Sequence, residues 1–115
     1  MASEDRAALV ALFRSTRGIR WKQNSNWDTD TDLAQWYGVQ VNEDGLVMAL
    51  RLSRNNIEGT IPEAVGALTE LKVVYIGGNK LTGPIPEALE ALTDLEILNL
   101  GGNKLTDEKS WLTRA

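Results

Sequence analysis

The side chains that could do chemistry in this chain are few, and most of them are carboxylates. The sequence contains no histidine and no cysteine, so it lacks the commonest general base and the thiolate nucleophile. Glu63 and Glu87 both occur in the local sequence Ile-Pro-Glu-Ala, and a pair of carboxylates can act as general acid and base. Nothing around them implies a cleft, so we interpret both as solvated surface charge.

A second set of carboxylates, Asp28, Asp30 and Asp32, alternates along the chain as calcium ligands do. A calcium loop also needs a central glycine and a final bidentate glutamate, and this segment has neither. The glycine pair within 77–80 lacks the spacing of a phosphate-binding loop. The sequence therefore predicts no metal site, no cofactor and no enzymatic activity.

Charge and hydropathy exclude several classes of partner. The net charge is −4, whereas nucleic-acid binding needs a basic face. No stretch approaches the ~18 apolar residues of a membrane span, so we expect no membrane insertion. The apolar run 7–13 is flanked by charges unlike those of a secretory signal, and the chain has no Asn-x-Ser/Thr sequon. These features favour a cytoplasmic location.

The strongest signal in the sequence is an internal repeat. Asn55, Asn79 and Asn103 occupy equivalent positions in three similar segments, so the period is 79 − 55 = 103 − 79 = 24 residues. One unit of this length cannot bury its own apolar edge, but stacked units bury one another's edges. We therefore predict repeats over 47–106, in an array that ends within its third unit.

Within each repeat, the alternation of apolar and polar residues predicts a short strand with one buried face. The side chains expected in the core are Leu50, Leu52, Val74, Ile76, Leu98 and Leu100. The asparagine follows where the chain turns, and its amide can bond backbone groups that the turn leaves unpaired. We predict that Asn55, Asn79 and Asn103 form a structural ladder through the stack. Gly59 and Gly83 then permit a left-handed backbone.

The residues that alternate with the buried ones face outward and stack into columns across the repeats. The first column is Ala49, Val73 and Ile97. The predicted partner-binding residues on the concave face are Arg51, Ser53, Arg54, Val73, Tyr75, Ile97 and Asn99. Tyrosine and arginine are enriched among binding hot spots, and solenoids generally bind on such faces. The alternative is that these side chains are strand formers that only face water.

Residues 1–46 lack the repeat and are predicted to cap it, since the first coil has an exposed apolar edge. Leu9, Leu12 and Phe13 are spaced to form one apolar stripe on a helix. Gly18 suits the C′ position after that helix, where a left-handed residue commonly ends it. The cap is therefore expected to begin with an amphipathic helix.

The rest of the cap is rich in tryptophan. Trp21, Trp27 and Trp36 could form a platform for a carbohydrate or a peptide, or they could pack the cap against the first coil. We favour packing. A β-hairpin is predicted around 42–45, where Asn, Glu, Asp and Gly follow one another between two apolar segments.

The repeat pattern L-x-x-L-x-L-x-x-N-x-L-x-G-x-I-P resembles the plant-type leucine-rich repeat of receptor kinases and polygalacturonase-inhibiting proteins. The cap resembles the N-terminal motif of that family, N-W followed by C-x-W-x-G-V-x-C, in Asn26-Trp27 and in 34–41, with Ala34 and Val41 at the cysteine positions. The resemblance implies an α/β solenoid: a right-handed superhelix with parallel strands on the concave face and an N-terminal helix-plus-hairpin cap. The missing disulfide resembles the cysteine-free variants of intracellular or multidomain proteins.

We therefore expect a non-catalytic protein–protein interaction module that binds a protein of unknown identity, either alone or as a fragment of a larger signalling protein such as a leucine-rich-repeat GTPase or kinase. One alternative is an inhibitor of a secreted polysaccharide-degrading enzyme. Another is an ice-binding solenoid, although the outward columns lack a regular array of threonine or asparagine. The tail, 107–115, is either an improvised cap or the end of a fragment whose natural chain carries further domains.

Overall fold

The computed structural model describes residues 3–106, in which one α-helix precedes a stack of short strands and 3₁₀ helices. Helix α1 spans Ser3–Ser15, and the 3₁₀ helices span Gly18–Arg20, Leu33–Gln35, Glu63–Ala67 and Glu87–Ala91. The strands are β1 (Val39–Val41), β2 (Val47–Arg51), β3 (Glu58–Gly59), β4 (Val73–Tyr75), β5 (Lys80–Gly83), β6 (Ile97–Asn99) and β7 (Lys104–Leu105). The tail predicted over 107–115 lies outside the described residues.

The repeats form coils that stack through two sets of parallel strands. We number them coil 1 (47–70), coil 2 (71–94) and coil 3 (95–106). β2, β4 and β6 pair in the order of the chain, with Leu50 opposite Val74 and Val74 opposite Leu98. This register equals the 24-residue period, so equivalent residues of successive coils lie side by side. After the turn that follows each of these strands, β3, β5 and β7 form a second parallel set.

The core lies on the inner face of β2, β4 and β6. Leu50, Leu52, Val74 and Ile76 are buried as predicted. Leu98, the equivalent residue of coil 3, is only half-buried, because no further coil covers it within the described residues. Burial therefore follows stacking, as expected for coils that cannot bury their own edges.

The segment before the coils closes the N-terminal side of this core. α1 packs against the 3₁₀ helix of coil 1, and its stripe residues Leu9 and Leu12 are fully buried. At its end, the Ser15 hydroxyl donates to the carbonyl of Thr60 at 2.8 Å. Gly59 lies so close that a Cβ there would overlap the Ser15 carbonyl, and its φ of 135° also disfavours a side chain. Among the described residues no helix is long and apolar enough to cross a bilayer.

The end of α1 differs from the prediction at Gly18. The left-handed residue after the helix is Arg17, with φ of 54°, and Gly18 begins the next 3₁₀ helix. Gly18 instead lies against the ring of Phe13, where a Cβ would overlap the ring atoms. The predicted C′ role of Gly18 is therefore wrong, because this glycine makes room for an aromatic side chain.

The three tryptophans of the cap are core residues. Trp21, Trp27 and Trp36 are between 1% and 5% exposed, and they pack with Phe13 in one aromatic cluster with ring centroids 4.8–6.0 Å apart. Their indole N–H groups donate to the backbone carbonyls of Thr16, Tyr37 and Thr31. A buried indole needs such a partner. The packing role is confirmed, and the platform role is excluded by burial.

The predicted hairpin is present as the antiparallel pair β1 and β2, shorter than the pattern indicated. Its turn is held by Asn42, whose side-chain oxygen accepts hydrogen bonds from the N–H groups of Asp44 at 2.9 Å and Leu46 at 3.0 Å. This is an Asx-type turn, for which asparagine is well suited. The hairpin joins the cap directly to the sheet, because β2 is also the strand of coil 1.

Candidate functional site

The outward face of β2, β4 and β6 presents the columns that the repeat predicts. Val73 lies opposite Ile97, and Arg51, Tyr75 and Asn99 lie side by side in register. Adjacent parallel strands are about 5 Å apart, so each column is a continuous row of side chains. We call the following set the strand face: Arg51, Ser53, Arg54, Val73, Tyr75, Ile97 and Asn99.

The strand face is neither uniformly apolar nor uniformly exposed. Val73, Tyr75 and Ile97 are half-buried, whereas its other members are exposed. Ala49, which the sequence placed first in the outward column, is only 2% exposed. Its place in the column beside Val73 and Ile97 is confirmed by the strand register. Its expected exposure is wrong, because β1 pairs with β2 there and sets Gln40 opposite Ala49.

The two ends of the central column already make contacts within the chain. Nη1 of Arg51 donates to Oε1 of Gln40 at 2.8 Å, so the cap holds this guanidinium in place. Oδ1 of Asn99 accepts from the backbone N–H of Gly101 at 3.1 Å. In the described residues the hydroxyl of Tyr75, between them, makes no hydrogen bond within the chain, so it can donate to a partner.

The asparagines beneath the turn form a chain of hydrogen bonds centred on Asn79. Its Oδ1 accepts from the backbone N–H groups of Asn55 at 2.7 Å and Ile57 at 3.0 Å, both in coil 1. Its Nδ2 donates to the carbonyls of Leu52 and Ile76, each at 3.0 Å. Both ends of the amide thus serve buried backbone groups that the turn leaves without strand partners.

The asparagines of the neighbouring coils continue this arrangement in both directions. Oδ1 of Asn103 accepts from the N–H of Leu81 at 2.9 Å, and its Nδ2 donates to Ile76 at 3.0 Å. Asn55 instead bonds the cap: its Oδ1 accepts from the N–H of Gln23 at 2.7 Å, and its Nδ2 donates to the Gln23 carbonyl at 2.8 Å. The sequence did not indicate that Gln23 binds Asn55, because the backbone of Gln23 makes both hydrogen bonds and its side chain makes neither.

A groove lies beside this ladder, where coils 1 and 2 turn. We call it the turn groove; its volume is about 420 Å³. Its lining residues are Lys22, Arg54, Asn56, Gly78, Asn79 and Lys80. Arg54 belongs to both the strand face and the groove, so the two surfaces adjoin. This groove was not predictable from the repeat pattern, since Lys22 comes from the cap.

A second cavity, of about 460 Å³, lies on the cap around the end of α1. It is lined by Phe13, Arg14, Arg17, Gly18, Ile19, Arg20 and Asp28. Ile19 is 84% exposed, and Arg14 approaches Asp28 at 3.5 Å in an exposed ion pair. Such a pair adds little stability.

The carboxylates considered first as chemical groups lie apart from the strand face and the turn groove, although Asp28 lines the cap cavity. Glu63 and Glu87 are both exposed in the first turns of the two coil 3₁₀ helices. Asp28 contacts Arg14. In the portion that the structure describes, no group of three or more histidine, cysteine, aspartate or glutamate residues is placed to hold a metal ion.

Solved structures from plants share this fold. The leucine-rich-repeat ectodomain of the membrane receptor kinase GASSHO1/SCHENGEN3 from Arabidopsis thaliana, in complex with CASPARIAN STRIP INTEGRITY FACTOR 2, is 29% identical with a TM-score of 0.72. The match covers 87% of this chain and 12% of that one. The BIR2 ectodomain from Arabidopsis thaliana is 25% identical with a TM-score of 0.78, over 88% of this chain and 56% of that one.

A plant ice-binding protein also shares the fold, with a TM-score of 0.60 and 24% identity over 89% of this chain and 41% of that one. At this identity the likeness concerns the fold alone. In each of the three structures, this chain spans less than two thirds of the matched chain.

Comparison at the level of sequence agrees with the architecture. No curated protein matches the chain significantly. The family model described as leucine rich repeat matches residues 46–105, which is just over half of the 115 residues and includes all three ladder asparagines. The chain therefore belongs to the leucine-rich-repeat family.

Proposed function

We propose that this chain is a non-catalytic protein-interaction module that binds its partner on the strand face. The observation that carries the proposal is the alignment of the half-buried Val73, Tyr75 and Ile97 beside exposed polar side chains in continuous columns. An apolar centre that includes a tyrosine, with a polar rim, is the usual anatomy of a protein interface.

The comparisons support a protein as the partner. GASSHO1/SCHENGEN3 forms a complex with CASPARIAN STRIP INTEGRITY FACTOR 2, so a leucine-rich-repeat ectodomain that is 29% identical over the matched part holds a separate binding partner. This chain covers only 12% of that receptor, and the identity of the ligand does not transfer with the fold. The lack of histidine and cysteine in the sequence supports the non-catalytic part of the proposal.

The compartment is a separate proposal. A cytoplasmic location rests on Ala34 and Val41, which stand where the related cap motif has two cysteines, because disulfides belong to oxidising compartments. The matched structures are ectodomains, so the structural likeness gives no support to it. The enzyme-inhibitor and ice-binding alternatives have no observation in their favour, and the ice-binding neighbour supports only the fold.

The experiment compares two double variants in affinity capture from an extract of the source cells, with proteins identified by mass spectrometry. Tyr75→Ala with Arg51→Glu changes the strand face. Tyr37→Ala with Arg20→Glu is the control, because it makes the same two substitutions at a tyrosine and an arginine that are both exposed in the cap. We expect partner proteins to be captured by the wild type and the control but lost with the strand-face variant.

Each outcome decides the proposal. Loss of the same proteins with the strand-face variant alone supports a binding surface there. Equal recovery with all three baits contradicts it, provided that circular dichroism shows the same melting midpoint for each. Equal loss with both variants would also contradict it, since binding would then depend on net charge and not on position.

A further inference from the structure

The turn groove is a positively charged site in a negatively charged molecule. Three of its lining residues, Lys22, Arg54 and Lys80, carry cations, and none of the carboxylates within residues 3–106 lines it. The net charge of the whole chain is −4. The groove is therefore a local reversal of sign, and such a region concentrates anions.

The cations of the groove are not neutralised within the described residues. There, the ion pair found joins Arg14 to Asp28, away from the groove, and the side chains of Lys22, Arg54 and Lys80 make no hydrogen bond. Glu58 pairs with Lys80 in the second strand set but does not line the groove. Like charges brought together without a counter-charge repel one another, so an anion that enters the groove relieves this repulsion.

Arg54 also has an unfavourable backbone. Its φ is 53°, in the left-handed region, and the equivalent residues of coils 2 and 3 are Gly78 and Gly102, with φ of 68° and 73°. A side chain in this conformation costs roughly 1 kcal/mol relative to glycine. Coils 2 and 3 thus have glycine at this repeat position, whereas coil 1 has an arginine that faces the groove. Among the three coils, the arginine side chain at this position is therefore a feature of coil 1 alone.

We infer that the turn groove binds an anionic group, a carboxylate or a phosphate, on an acidic peptide segment of the protein partner. Arg54 supplies a planar guanidinium that suits either anion. Lys22 and Lys80 supply compact charges from the cap and from coil 2. Because Arg54 also belongs to the strand face, one partner segment can occupy both surfaces. The inference rests on the proposed function in taking the partner to be a protein.

The test measures binding of three short fluorescent peptides by anisotropy at low and physiological salt. One peptide is rich in Glu and Asp, one carries phosphoserine, and one has Gln and Asn in place of every acid. The variant is Arg54→Gly and its matched control is Arg17→Gly, because Arg17 is an exposed arginine with φ of 54° in the other cavity. Both changes relieve a left-handed side chain, so both variants are expected to fold at least as stably as the wild type.

We expect Arg54→Gly to weaken binding of the acidic or the phosphorylated peptide about tenfold, the value of one charge-assisted hydrogen bond. Lys80→Gln should act in the same direction, whereas Arg17→Gly should leave binding within about twofold of the wild type. The peptide that binds more tightly identifies the anion. Equal binding of the neutral peptide would overturn the inference, as would equal losses with Arg17→Gly.

The inference and the proposed function fail separately. If Tyr75→Ala with Arg51→Glu abolishes capture of a partner while Arg54→Gly and Lys80→Gln bind it normally, the strand face stands and the groove does not. If neither set of variants changes capture, both the strand-face proposal and the groove inference are contradicted. Loss of the acidic peptide with the groove variants alone supports the groove without the strand face.

Discussion

At the scale of single residues, the amide of Asn79 joins two coils through hydrogen bonds to backbone groups of both. Its oxygen accepts from coil 1 and its nitrogen donates to carbonyls on both coils. The side chain is 8% exposed, so water cannot easily replace these bonds. Each buried backbone group left unpaired costs about 1–3 kcal/mol, and this cost sets the size of the effect below.

We predict that Asn79→Ala lowers the free energy of unfolding by at least roughly 1–3 kcal/mol, the cost of one unpaired backbone group, measured by urea denaturation. Asn103→Ala should lower it less, because Asn103 is half-buried and lies in the last described coil. Asn79→Asp is a sharper control. It keeps an acceptor for Asn55 and Ile57 but turns an anionic oxygen toward the Leu52 and Ile76 carbonyls, so it should not rescue stability at neutral pH. An unshifted midpoint for Asn79→Ala would refute the ladder's structural role.

The positions of the ladder residues could be read from the sequence, whereas its attachment to the cap could not. A period of 24 residues places Asn55, Asn79 and Asn103 in line. The partner of Asn55, however, is the backbone of Gln23, and no residue type signals a backbone partner 32 residues away. The same limit applies to the turn groove, because Lys22 reaches it only through the fold of a segment without repeats.

At the scale of elements, α1 is tied to the sheet by one buried carboxylate. Oδ2 of Asp5 accepts from the backbone N–H of Val47 at 2.8 Å, where β2 begins, and Asp5 is 4% exposed. Burial raises the pKa of Asp5 above its ordinary value of 3.8, and the hydrogen bond from Val47 opposes this shift only in part. Folding therefore disfavours the ionised carboxylate of Asp5. The hydrogen bond from Val47 is still needed, because it keeps that buried N–H group paired.

The raised pKa of Asp5 fixes the sign of a pH effect. The stabilisation that comes from protonated Asp5 is fully present below the ordinary pKa and is lost as pH rises through the pKa of the folded state. Asp5→Asn keeps an acceptor for Val47 without a charge. We therefore predict that its stability relative to the wild type improves between about pH 3 and pH 7, measured as the urea midpoint at each pH. Asp5→Ala should instead lose about 1–3 kcal/mol at every pH, because the N–H of Val47 becomes unpaired.

Two outcomes would contradict this account of Asp5. If the difference in urea midpoint between Asp5→Asn and the wild type stays constant with pH, the pKa of Asp5 is the same in the folded and unfolded states. If Asp5→Ala is as stable as Asp5→Asn, the bond to Val47 contributes nothing.

Elements with a clear period were predictable, and elements whose ends depend on packing were less so. The alternation in 50–52 and 74–76 indicated strands, and the register of β2 with β4 equals the repeat period. The end of α1 was misjudged, because glycine usually marks a left-handed residue, whereas Gly18 responds to the Phe13 ring. The burial of Ala49 likewise depends on a strand, β1, that belongs to the cap.

At the scale of the whole molecule, cap and coils share one hydrophobic core. The buried cluster extends without a break from Leu9 in α1 through the tryptophans of the cap to Leu100 in coil 3. α1 packs on coil 1, and the 3₁₀ helices of coils 1 and 2 pack on each other. Because each coil contacts only its neighbours, the interfaces between adjacent coils stabilise the stack. The described residues should therefore unfold as one cooperative unit.

A change in coil 2 tests whether this cooperativity extends from the coils to the cap. Leu81 is fully buried, and Leu81→Ala should lower the free energy of unfolding by about 2–5 kcal/mol through a cavity. The fluorescence of Trp21, Trp27 and Trp36 reports on the cap, and Trp111→Phe provides a background without the remaining tryptophan. We predict that Leu81→Ala shifts the fluorescence midpoint and the circular-dichroism midpoint equally. If the fluorescence midpoint stayed in place while the circular-dichroism midpoint moved, cap and coils would be separate folding units, and the shared hydrophobic core would not couple their unfolding.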